Sequence, residues 1–533
     1  MRPWIDNFFG HDCCKSPFLA GKGLGVRVRH SSSSKHSYLT GDTMQAPRLS
    51  LDTLATLPPV VSRPSYDLAR TTIGIVHLGA GAFHRAHQAV YIDDLLAEDP
   101  SWAISAVSLH RPHVRDALRP QHGLYTLALL DEHPQLRVIG AIREVLCAAD
   151  EHAAVLARLA DPAVRLVTLT ITEKGYCLAG DTLDLSHPDI AHDIAHPASP
   201  RSAIGYLVAG LQRRRHNGTA PFTALSCDNL TDNGTLLQRA VVRLAEQTDP
   251  ALAQWITRHA AFPRSMVDSI TPATDDALRT RVHDQLGVDD AWPIQRERYS
   301  QWVIEDRFSN GRPAFEHAGV TLSEDIAGYA RAKLRLLNAP HSALAYLGSL
   351  MNLETVADAM RHRELAAYLE TLMRAEIAPT LQAMQGFDAQ RYSDAILARF
   401  RNPAIGHLLA QIAWDGSQKL PVRLLGTIGE ALATGRPIQR LCLAVAAWLH
   451  FVRRQAHNGV PLTDPLNDVL SALGRNATGD AGHDVADFLT LEAVFGSLPA
   501  DARFRASLQA AYAALGMATP AEVTHALGSM GDV

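Results

Sequence analysis

The stretch Thr72-Ile-Gly-Ile-Val-His-Leu78, followed directly by Gly79-Ala80-Gly81, decides the fold prediction. Its apolar run is typical of a strand buried on both faces, and the glycines permit a tight turn. A helix that follows such a turn can bind the pyrophosphate of a dinucleotide at its N-terminus. Because His84 replaces the third glycine of the usual fingerprint, the motif is weak alone. With Gly79, Ala80 and Gly81, the next residues Phe83, His84 and Arg85 are the candidate cofactor contacts.

The chain around this turn alternates between short apolar runs and helical patterns up to about Gly328. Strands are predicted over residues 103–109, 165–171 and 222–226, and helices over residues 87–97, 152–159 and 202–215. Strands that alternate with helices pair in parallel. The first half is therefore predicted to be an α/β domain with a doubly wound, Rossmann-type parallel sheet.

The second half has a different texture. After about residue 330, apolar residues fall at helical spacing between proline and glycine punctuation, without a comparable strand-like run. We therefore predict a dinucleotide-binding domain over residues 44–328 and a mainly helical substrate and catalytic domain over residues 329–533. Residues 1–43 lack apolar periodicity and are predicted to be a disordered or mis-started extension; an organelle-targeting segment is the alternative.

Composition excludes several classes of protein. The chain has 533 residues, a formal net charge of −5 and 20% charged residues, so it gives no electrostatic reason to expect nucleic acid or a membrane as partner. Its longest apolar run, Leu441 to Leu449, is far below the roughly 20 residues that span a bilayer. The six cysteines lack metal-site spacing and indicate reduced thiols, hence a cytoplasmic protein.

Other motifs narrow the chemistry. The acidic residue expected after the second strand is missing, because the first carboxylate after Ser108 is Asp116; NAD and NADP therefore both stay open. His84 and His87 lack a third metal ligand, and no G-x-S-x-G nucleophile motif is present. Tyr329 and Lys333 form a YxxxK match without the turn and chain length of short-chain dehydrogenases, so the tyrosine is interpreted as incidental.

The block from Lys333 to Ser342 carries the most informative polar groups. Lys333 lies on a predicted helix, and Asn338 and His341 lie at its far end, where Pro340 is expected to break it. Dehydrogenation of an alcohol needs a base for the hydroxyl proton and donors for the developing alkoxide. A lysine beside apolar residues can act as that base, because desolvation lowers its pKa. An amphipathic helix with a polar end is the alternative interpretation.

At this block the chain resembles the polyol-specific long-chain dehydrogenases, the family of mannitol dehydrogenase and fructuronate reductase. The resemblance rests on several ordered motifs and runs from about residue 75 into the C-terminal region. They are residues 76–88, 170–176, 226–230, 262–263, 266–268, 270–272, 302–306 and 333–342.

The resemblance implies a Rossmann-type domain, a helical C-terminal domain and a metal-free site between them that takes a nicotinamide cofactor. It implies that Lys333 is the general acid–base of hydride transfer. It also implies that Asn229 and Asn338 stabilise the oxyanion and that His341 orients the substrate.

Two departures from the family pattern bear on mechanism and substrate. Ala330 stands where many members have a proton-relaying glutamate, so the relay is either absent or rebuilt through Tyr329, Glu305 or water. Gln411 stands where mannitol dehydrogenases typically have an arginine, and fructuronate reductases resemble this chain more closely there. We therefore expect reduction of D-fructuronate to D-mannonate, with Gln411 and Lys419 as substrate contacts.

Two alternatives to this expectation remain. The runner-up activity is a mannitol or arabinitol 2-dehydrogenase. The other is a nucleotide-sensing or scaffold protein that kept the fold and lost catalysis, which Ala330 alone favours. A small molecule is the only partner expected, in a monomer or a small homo-oligomer.

Overall fold

The computed structural model describes residues 46–131, 134–384 and 386–530. The predicted extension over residues 1–43, with Cys13 and Cys14, lies outside the described residues. Among the described helices, none combines the length and the apolar character that crossing a membrane requires.

Strands occur up to residue 322 and define an N-terminal lobe. In chain order they are β1 (Ile73–Leu78), β2 (Ala103–Ser108), β3 (Tyr125–Leu130), β4 (Gln135–Ile139), β5 (Ile142–Cys147), β6 (Leu166–Leu169), β7 (Leu178–Ala179), β8 (Thr182–Leu183), β9 (Thr223–Ser226), β10 (Ser265–Asp268), β11 (Ile294–Glu297), β12 (Gln301–Ile304) and β13 (Thr321–Leu322).

Within the described part of this lobe, ten α-helices accompany the strands. They are α1 (Leu51–Leu54), α2 (Ala82–Ala86), α3 (Gln88–Leu95), α4 (His113–Leu118), α5 (Ala148–Ala160), α6 (Pro188–Ala195), α7 (Ala203–His216), α8 (Asn233–Thr248), α9 (Pro250–His259) and α10 (Asp276–Leu286). Apolar residues of the central sheet pack between two groups of these elements, one built on α5 and α7 to α9 and the other on α3. This double covering explains why β1 is apolar on both faces.

The central sheet confirms the predicted fold class. Five parallel strands lie in the order β5-β2-β1-β6-β9. The chain moves outward from β1 through β2 to β5 and then returns to β6 on the other side of β1. This reversal is a topological switch point, and ligands of such sheets bind outside the carboxyl ends of the strands there. The residues after β1, β6 and β9 are therefore brought to one edge.

The helical lobe begins at residue 326 and, over its described residues, contains no strand, which confirms the predicted helical second half. Its helices are α11 (Ile326–Ala332), α12 (Ala339–Leu350), α13 (Val356–Arg361), α14 (Arg363–Thr371), α15 (Ala389–Arg401), α16 (Leu409–Ile412), α17 (Gly416–Leu420), α18 (Gly426–Ala433), α19 (Gln439–His457), α20 (Asn467–Asn476), α21 (Ala481–Phe488), α22 (Glu492–Phe495), α23 (Ala502–Ala514) and α24 (Pro520–Ser529). Among the described residues, the π-helical segment Lys333–Asn338 joins α11 to α12, and Pro421–Leu425 joins α17 to α18. A third such segment, Leu372–Ile377, extends α14.

One predicted feature of this lobe is wrong: Pro340 does not break the helix. The chain runs from α11 through Lys333–Asn338 into α12 with αR dihedral angles at the junctions, and Pro340 lies in the first turn of α12. In the π-helical segment, hydrogen bonds join residues five apart, as between the Ala339 amide and the Leu334 carbonyl. The register therefore changes just before the residue that has no amide hydrogen to donate.

Candidate active site

The glycine turn after β1 has the shape that close approach to a cofactor requires. Gly79 has φ +98°, and a methyl group on it would lie 2.2 Å from the carbonyl oxygen of Thr170. Gly81 is exposed, and the nearest atom that a methyl group there would meet is 3.8 Å away. The turn therefore packs tightly against the loop after β6 and leaves its outer side open, as a cradle for a dinucleotide does.

The backbone amides of the turn already donate hydrogen bonds to acceptors within the protein. The N–H groups of Gly79 and Ala80 donate to the carbonyl of Val107 at 2.8 and 3.4 Å, and that of Gly81 donates to the Gly79 carbonyl at 2.6 Å. The first turn of α2 follows, and amides at a helix start have no intrahelical acceptor. The amides of Ala82 and the half-buried Phe83 can therefore donate to a phosphate, and cofactor contact through Ala80 stays a prediction.

His84 and Arg85 lie inside the N-terminal lobe, although the sequence placed them at the cofactor. The His84 ring is fully buried and stacks on His77 at 3.4 Å between ring centres. The buried Arg85 guanidinium donates to the Trp292 carbonyl at 2.7 Å and lies over the Tyr125 ring. Both side chains therefore lie on the inner side of the turn. Direct contact of either side chain with the cofactor stays a prediction.

Asp228 organises the loop that follows β6. Its carboxylate accepts hydrogen bonds from the amides of Ile171 and Thr172 at 3.0 and 2.9 Å and from the Tyr176 hydroxyl at 2.7 Å. Burial raises the pKa of Asp228, and these donors oppose that rise. The anchoring fixes the residue next to it, Asn229, at the same sheet edge as the glycine turn.

Lys333 connects the two lobes. Its Nζ donates to the Asn229 Oδ1 at 3.1 Å and to the Val267 carbonyl at 2.8 Å. Because Lys333 uses the Asn229 oxygen, the amide NH₂ of Asn229 is left to donate to a substrate oxygen. The structure therefore brings together two residues that the sequence proposed as partners from opposite halves of the chain.

The surroundings of Lys333 favour its neutral form. Burial lowers the pKa of Lys333 below its ordinary value; Asp268 opposes this, and the guanidinium groups of Arg399 and Arg423 add to it. A lysine with a lowered pKa can accept a hydroxyl proton and return it.

The π-helical register brings Asn338 towards Lys333. Residues five apart in a regular α-helix differ by about 140° around the axis, because each residue turns about 100°. In a π-helical turn, residues five apart are hydrogen-bonded and lie on the same side. Lys333 and Asn338 are the first and last residues of this segment, so their side chains leave the helix on one side.

His341 lies one turn further along, in α12. Its buried ring packs against Phe400 at 4.3 Å and against His407 at 5.4 Å between ring centres. Burial, His407, Arg399 and Arg423 all lower the pKa of His341, so the ring is a neutral imidazole near pH 7. A neutral imidazole can both donate to and accept from a substrate hydroxyl.

Two cationic side chains of the helical lobe lie near the histidine pair: Arg423 acts on His341 and Lys419 acts on His407. Burial and Arg423 lower the pKa of Lys419 to about 8, and its Nζ donates to the Ile412 carbonyl at 3.3 Å. Arg423, which donates to the Ser342 Oγ at 3.1 Å, also lowers the pKa of Lys333 and His341. Gln411 lies exposed in α16.

The sequence missed two residues of this group, Arg423 and His407. Both lie in irregular or π-helical segments, where amphipathic periodicity carries no signal.

Among the described residues, no hydrogen bond links Tyr329 or Glu305 to Lys333, so the proton route proposed through them has no support from contacts. The Tyr329 ring packs edge-on against Phe387, and the Glu305 carboxylate binds Arg264. Within the described residues, the hydrogen bonds of the Lys333 amine go to Asn229 and Val267. No group of three or more histidine, cysteine or acidic side chains suited to a metal ion occurs in the same part of the chain.

Two family models match nearly the whole of both lobes. The Mannitol dehydrogenase Rossmann domain matches residues 73–317, and the Mannitol dehydrogenase C-terminal domain matches residues 325–516. The chain belongs to the mannitol dehydrogenase family. This confirms the resemblance read from the sequence motifs and identifies the protein as an oxidoreductase of a family that acts on polyols and sugar acids.

Members of this family with different substrates are about equally similar to the chain. The D-mannonate oxidoreductase of Escherichia coli is 41% identical over 85% of this chain and 95% of its own length. A mannitol 2-dehydrogenase of Neosartorya fischeri is 39% identical over 84% and 91%. The structure of Pseudomonas fluorescens mannitol 2-dehydrogenase with NAD and D-mannitol is 38% identical, covers 91% of this chain and 99% of its own, and has a TM-score of 0.73.

Proposed function

We propose that this protein reduces D-fructuronate to D-mannonate with NADH, and that Lys333 is the general acid–base. The observation that carries the substrate assignment is the pair of cations Arg423, which lowers the pKa of His341, and Lys419, which lowers that of the neighbouring His407. The glycine turn with its open outer side supports NAD as the cofactor. Similarity alone leaves the substrate open, because relatives of either name have nearly the same identity.

The residues divide the chemistry between them. Bound NADH supplies the hydride, which the carbonyl carbon of the substrate accepts. Lys333 in its charged form donates the proton to the carbonyl oxygen, and in the reverse direction the neutral amine removes that proton from the hydroxyl. The amides of Asn229 and Asn338 donate to the oxygen as negative charge develops on it. His341 holds a neighbouring hydroxyl group.

The two cations favour a substrate with a carboxylate. Lys419 and Arg423 are partly buried, and burial lowers the pKa of both. Arg423 lowers the pKa of Lys419 further, while Asp415 and Asp464 oppose this, and neither cation forms an ion pair among the described residues. Such a pair is costly until an anion compensates it. The carboxylate at the end of a hexuronate would do so, whereas mannitol and fructose are uncharged.

The alternative is a mannitol 2-dehydrogenase, which catalyses the interconversion of mannitol and fructose. The observation that favours it is the match to the mannitol-bound P. fluorescens structure over almost its whole length. Gln411 argues against it, because it stands where mannitol dehydrogenases typically have an arginine.

A substrate panel tests the assignment. We expect kcat/KM for fructuronate to exceed that for tagaturonate, fructose and mannitol. In Lys419→Gln, kcat/KM for fructuronate should fall about 10- to 100-fold, because a hydrogen bond to a charged group contributes about 1.5–3 kcal/mol. The same variant should change fructose reduction less than threefold, which makes the neutral substrate an internal control.

Two outcomes would contradict the assignment. A higher kcat/KM for fructose than for fructuronate would establish the mannitol dehydrogenase alternative. An equal loss for both substrates in Lys419→Gln would show that the cation does not recognise a carboxylate.

Two further expectations stay predictions. The four described cysteines are unpaired and buried, which supports a reducing, cytoplasmic location. Assembly as a monomer or small homo-oligomer can be measured by light scattering.

A further inference from the structure

A buried cluster of three charged side chains joins the two lobes beside Lys333. Arg399 of α15 donates through Nε to the Glu297 Oε2 at 2.8 Å and through Nη2 to the Glu297 Oε1 at 2.7 Å. The same guanidinium donates through Nη1 to the Asp268 Oδ2 at 2.7 Å and through Nη2 to the Asp268 Oδ1 at 3.3 Å. One arginine of the helical lobe thus binds two carboxylates from β10 and β11 of the N-terminal lobe.

The cluster is removed from water and carries a net negative charge. The exposed fractions of the side chains are 4% for Arg399, 6% for Asp268 and 1% for Glu297. Although burial lowers it, the two carboxylates raise the pKa of Arg399 above its ordinary value. The Arg399 guanidinium also lies 4.2 Å from the centre of the Tyr299 ring. In such a cluster, the attraction between the charges offsets little more than the free energy lost by removing them from water. Stability alone is therefore a weak explanation for it.

The cluster adjoins Lys333 through the backbone of β10. The Lys333 amine donates to the carbonyl of Val267, the residue before Asp268. Asp268 favours the charged form of that amine, and Arg399 opposes it. Arg423 of the helical lobe also lowers the pKa of Lys333. His87 of the N-terminal lobe is near Lys333 too, but burial lowers its pKa and keeps it neutral. Arg399 is also adjacent to Phe400, against which the His341 ring packs.

We propose that Arg399 is a positioning residue for proton transfer, which fixes the Asp268 carboxylate beside Lys333 and balances its charge. The proposal rests on the role of Lys333 in the proposed function. Without Arg399, Asp268 would attract the protonated Lys333 without compensation, and the amine would retain its proton to higher pH.

The test compares the pH dependence of kcat/KM for oxidation in three variants of the full chain. Arg399→Met removes the charge, and Arg399→Lys retains it but cannot bind both carboxylates through two parallel bonds. Arg440→Met is the matched control, because Arg440 is a buried arginine of the same lobe that lies 3.8 Å from the buried Glu376. Thermal unfolding is recorded for each variant, and Lys333→Ala shows which limb of the profile belongs to Lys333.

We expect the midpoint of the acidic limb to move upward by about one pH unit in Arg399→Met, as loss of a nearby charge does. It should stay within about 0.3 unit of the wild type in Arg399→Lys and in Arg440→Met, even where Tm falls. If Arg399→Met fails to fold, the proposal depends on Arg399→Lys. Its kcat must then be at least tenfold below that of the wild type, while the midpoint of its acidic limb is unchanged.

Other results overturn the proposal. An unmoved midpoint in Arg399→Met, or wild-type kcat in Arg399→Lys, would leave Arg399 with a structural role only. If Lys333→Ala retains the acidic limb, the assignment of Lys333 as general acid–base fails as well. The failure of the Arg399 proposal alone can thus be distinguished from the failure of the proposed function.

Discussion

At the scale of single residues, the pKa of Lys333 and the position of its amine depend on neighbours that are distant in sequence. Burial lowers its pKa, Arg399 and Arg423 add to that effect, and Asn229 and Val267 hold the amine in place. The sequence indicated Lys333, Asn229, Asn338 and His341 from residue chemistry and motif resemblance.

The surrounding charges could not be predicted in this way. Arg399 is separated from Asp268 by 131 residues and from Glu297 by 102 residues. Such an ion cluster leaves no trace in local periodicity, because its members come from three elements that only the fold brings together. The buried positions of the His84 and Arg85 side chains could not be predicted either, since a motif position does not say which side of a turn a side chain occupies.

The lowered pKa of Lys333 predicts opposite pH dependences for the two directions. Oxidation requires the neutral amine, so its kcat/KM should rise with pH to a plateau, with an apparent pKa below 10.5, the ordinary value for lysine. Reduction requires the charged amine, so its kcat/KM should fall as pH rises through the same region. Steady-state rates at saturating cofactor measure both limbs. Limbs that change in the same sense would contradict proton transfer through one group.

At the scale of elements, the sequence predicted the buried parallel strands well and the irregular segments poorly. Strand β1 and its neighbours are continuous apolar runs because helices cover both faces of the sheet. Strand β11, Ile294–Glu297, is buried too but has the sequence Ile-Gln-Arg-Glu, which carries no strand pattern. Two of its polar side chains have partners elsewhere, since Gln295 donates to the Ala273 carbonyl and Glu297 accepts from Arg399.

The π-helical segment Lys333–Asn338 shows why the local reading of the catalytic block was incomplete. An α-helical interpretation placed Asn338 about 140° from Lys333 around the axis and required Pro340 to end the helix. The observed register places both polar residues on one side and continues through the proline. Apolar spacing cannot distinguish the two registers over six residues.

The glycine turn after β1 yields a prediction with an internal control. Gly79→Ala should lower Tm and weaken NADH binding, because the methyl group would lie 2.2 Å from the Thr170 oxygen at φ +98°. Such strain costs about 1–3 kcal/mol. Gly81→Ala should keep Tm near the wild-type value, since φ is −77° and the nearest atom is 3.8 Å away, yet weaken NADH binding at least tenfold.

Thermal unfolding and titration of NADH fluorescence measure the two effects. Wild-type NADH affinity in both variants would show that the turn does not approach the cofactor.

At the scale of the whole molecule, the candidate site exists only where the two lobes meet. Lys333, Asn338 and His341 come from the helical lobe, and Asn229 and Asp268 come from the N-terminal lobe. The Lys333 amine and the Arg399 guanidinium each form hydrogen bonds across the boundary. In the proposed function, the parallel sheet provides the edge where the dinucleotide binds, and the helical lobe provides Lys333 as the proton donor and the cations Lys419 and Arg423.

The central claim is that Lys333 transfers the proton, and single-site replacement tests it most directly. We expect Lys333→Ala to lose about 10²- to 10⁴-fold in kcat/KM for the best substrate of the panel. Its Tm and its affinity for NADH should remain close to the wild-type values, because the cofactor turn lies on the other lobe. Turnover near the wild-type rate in a folded, NADH-binding Lys333→Ala variant would contradict the account.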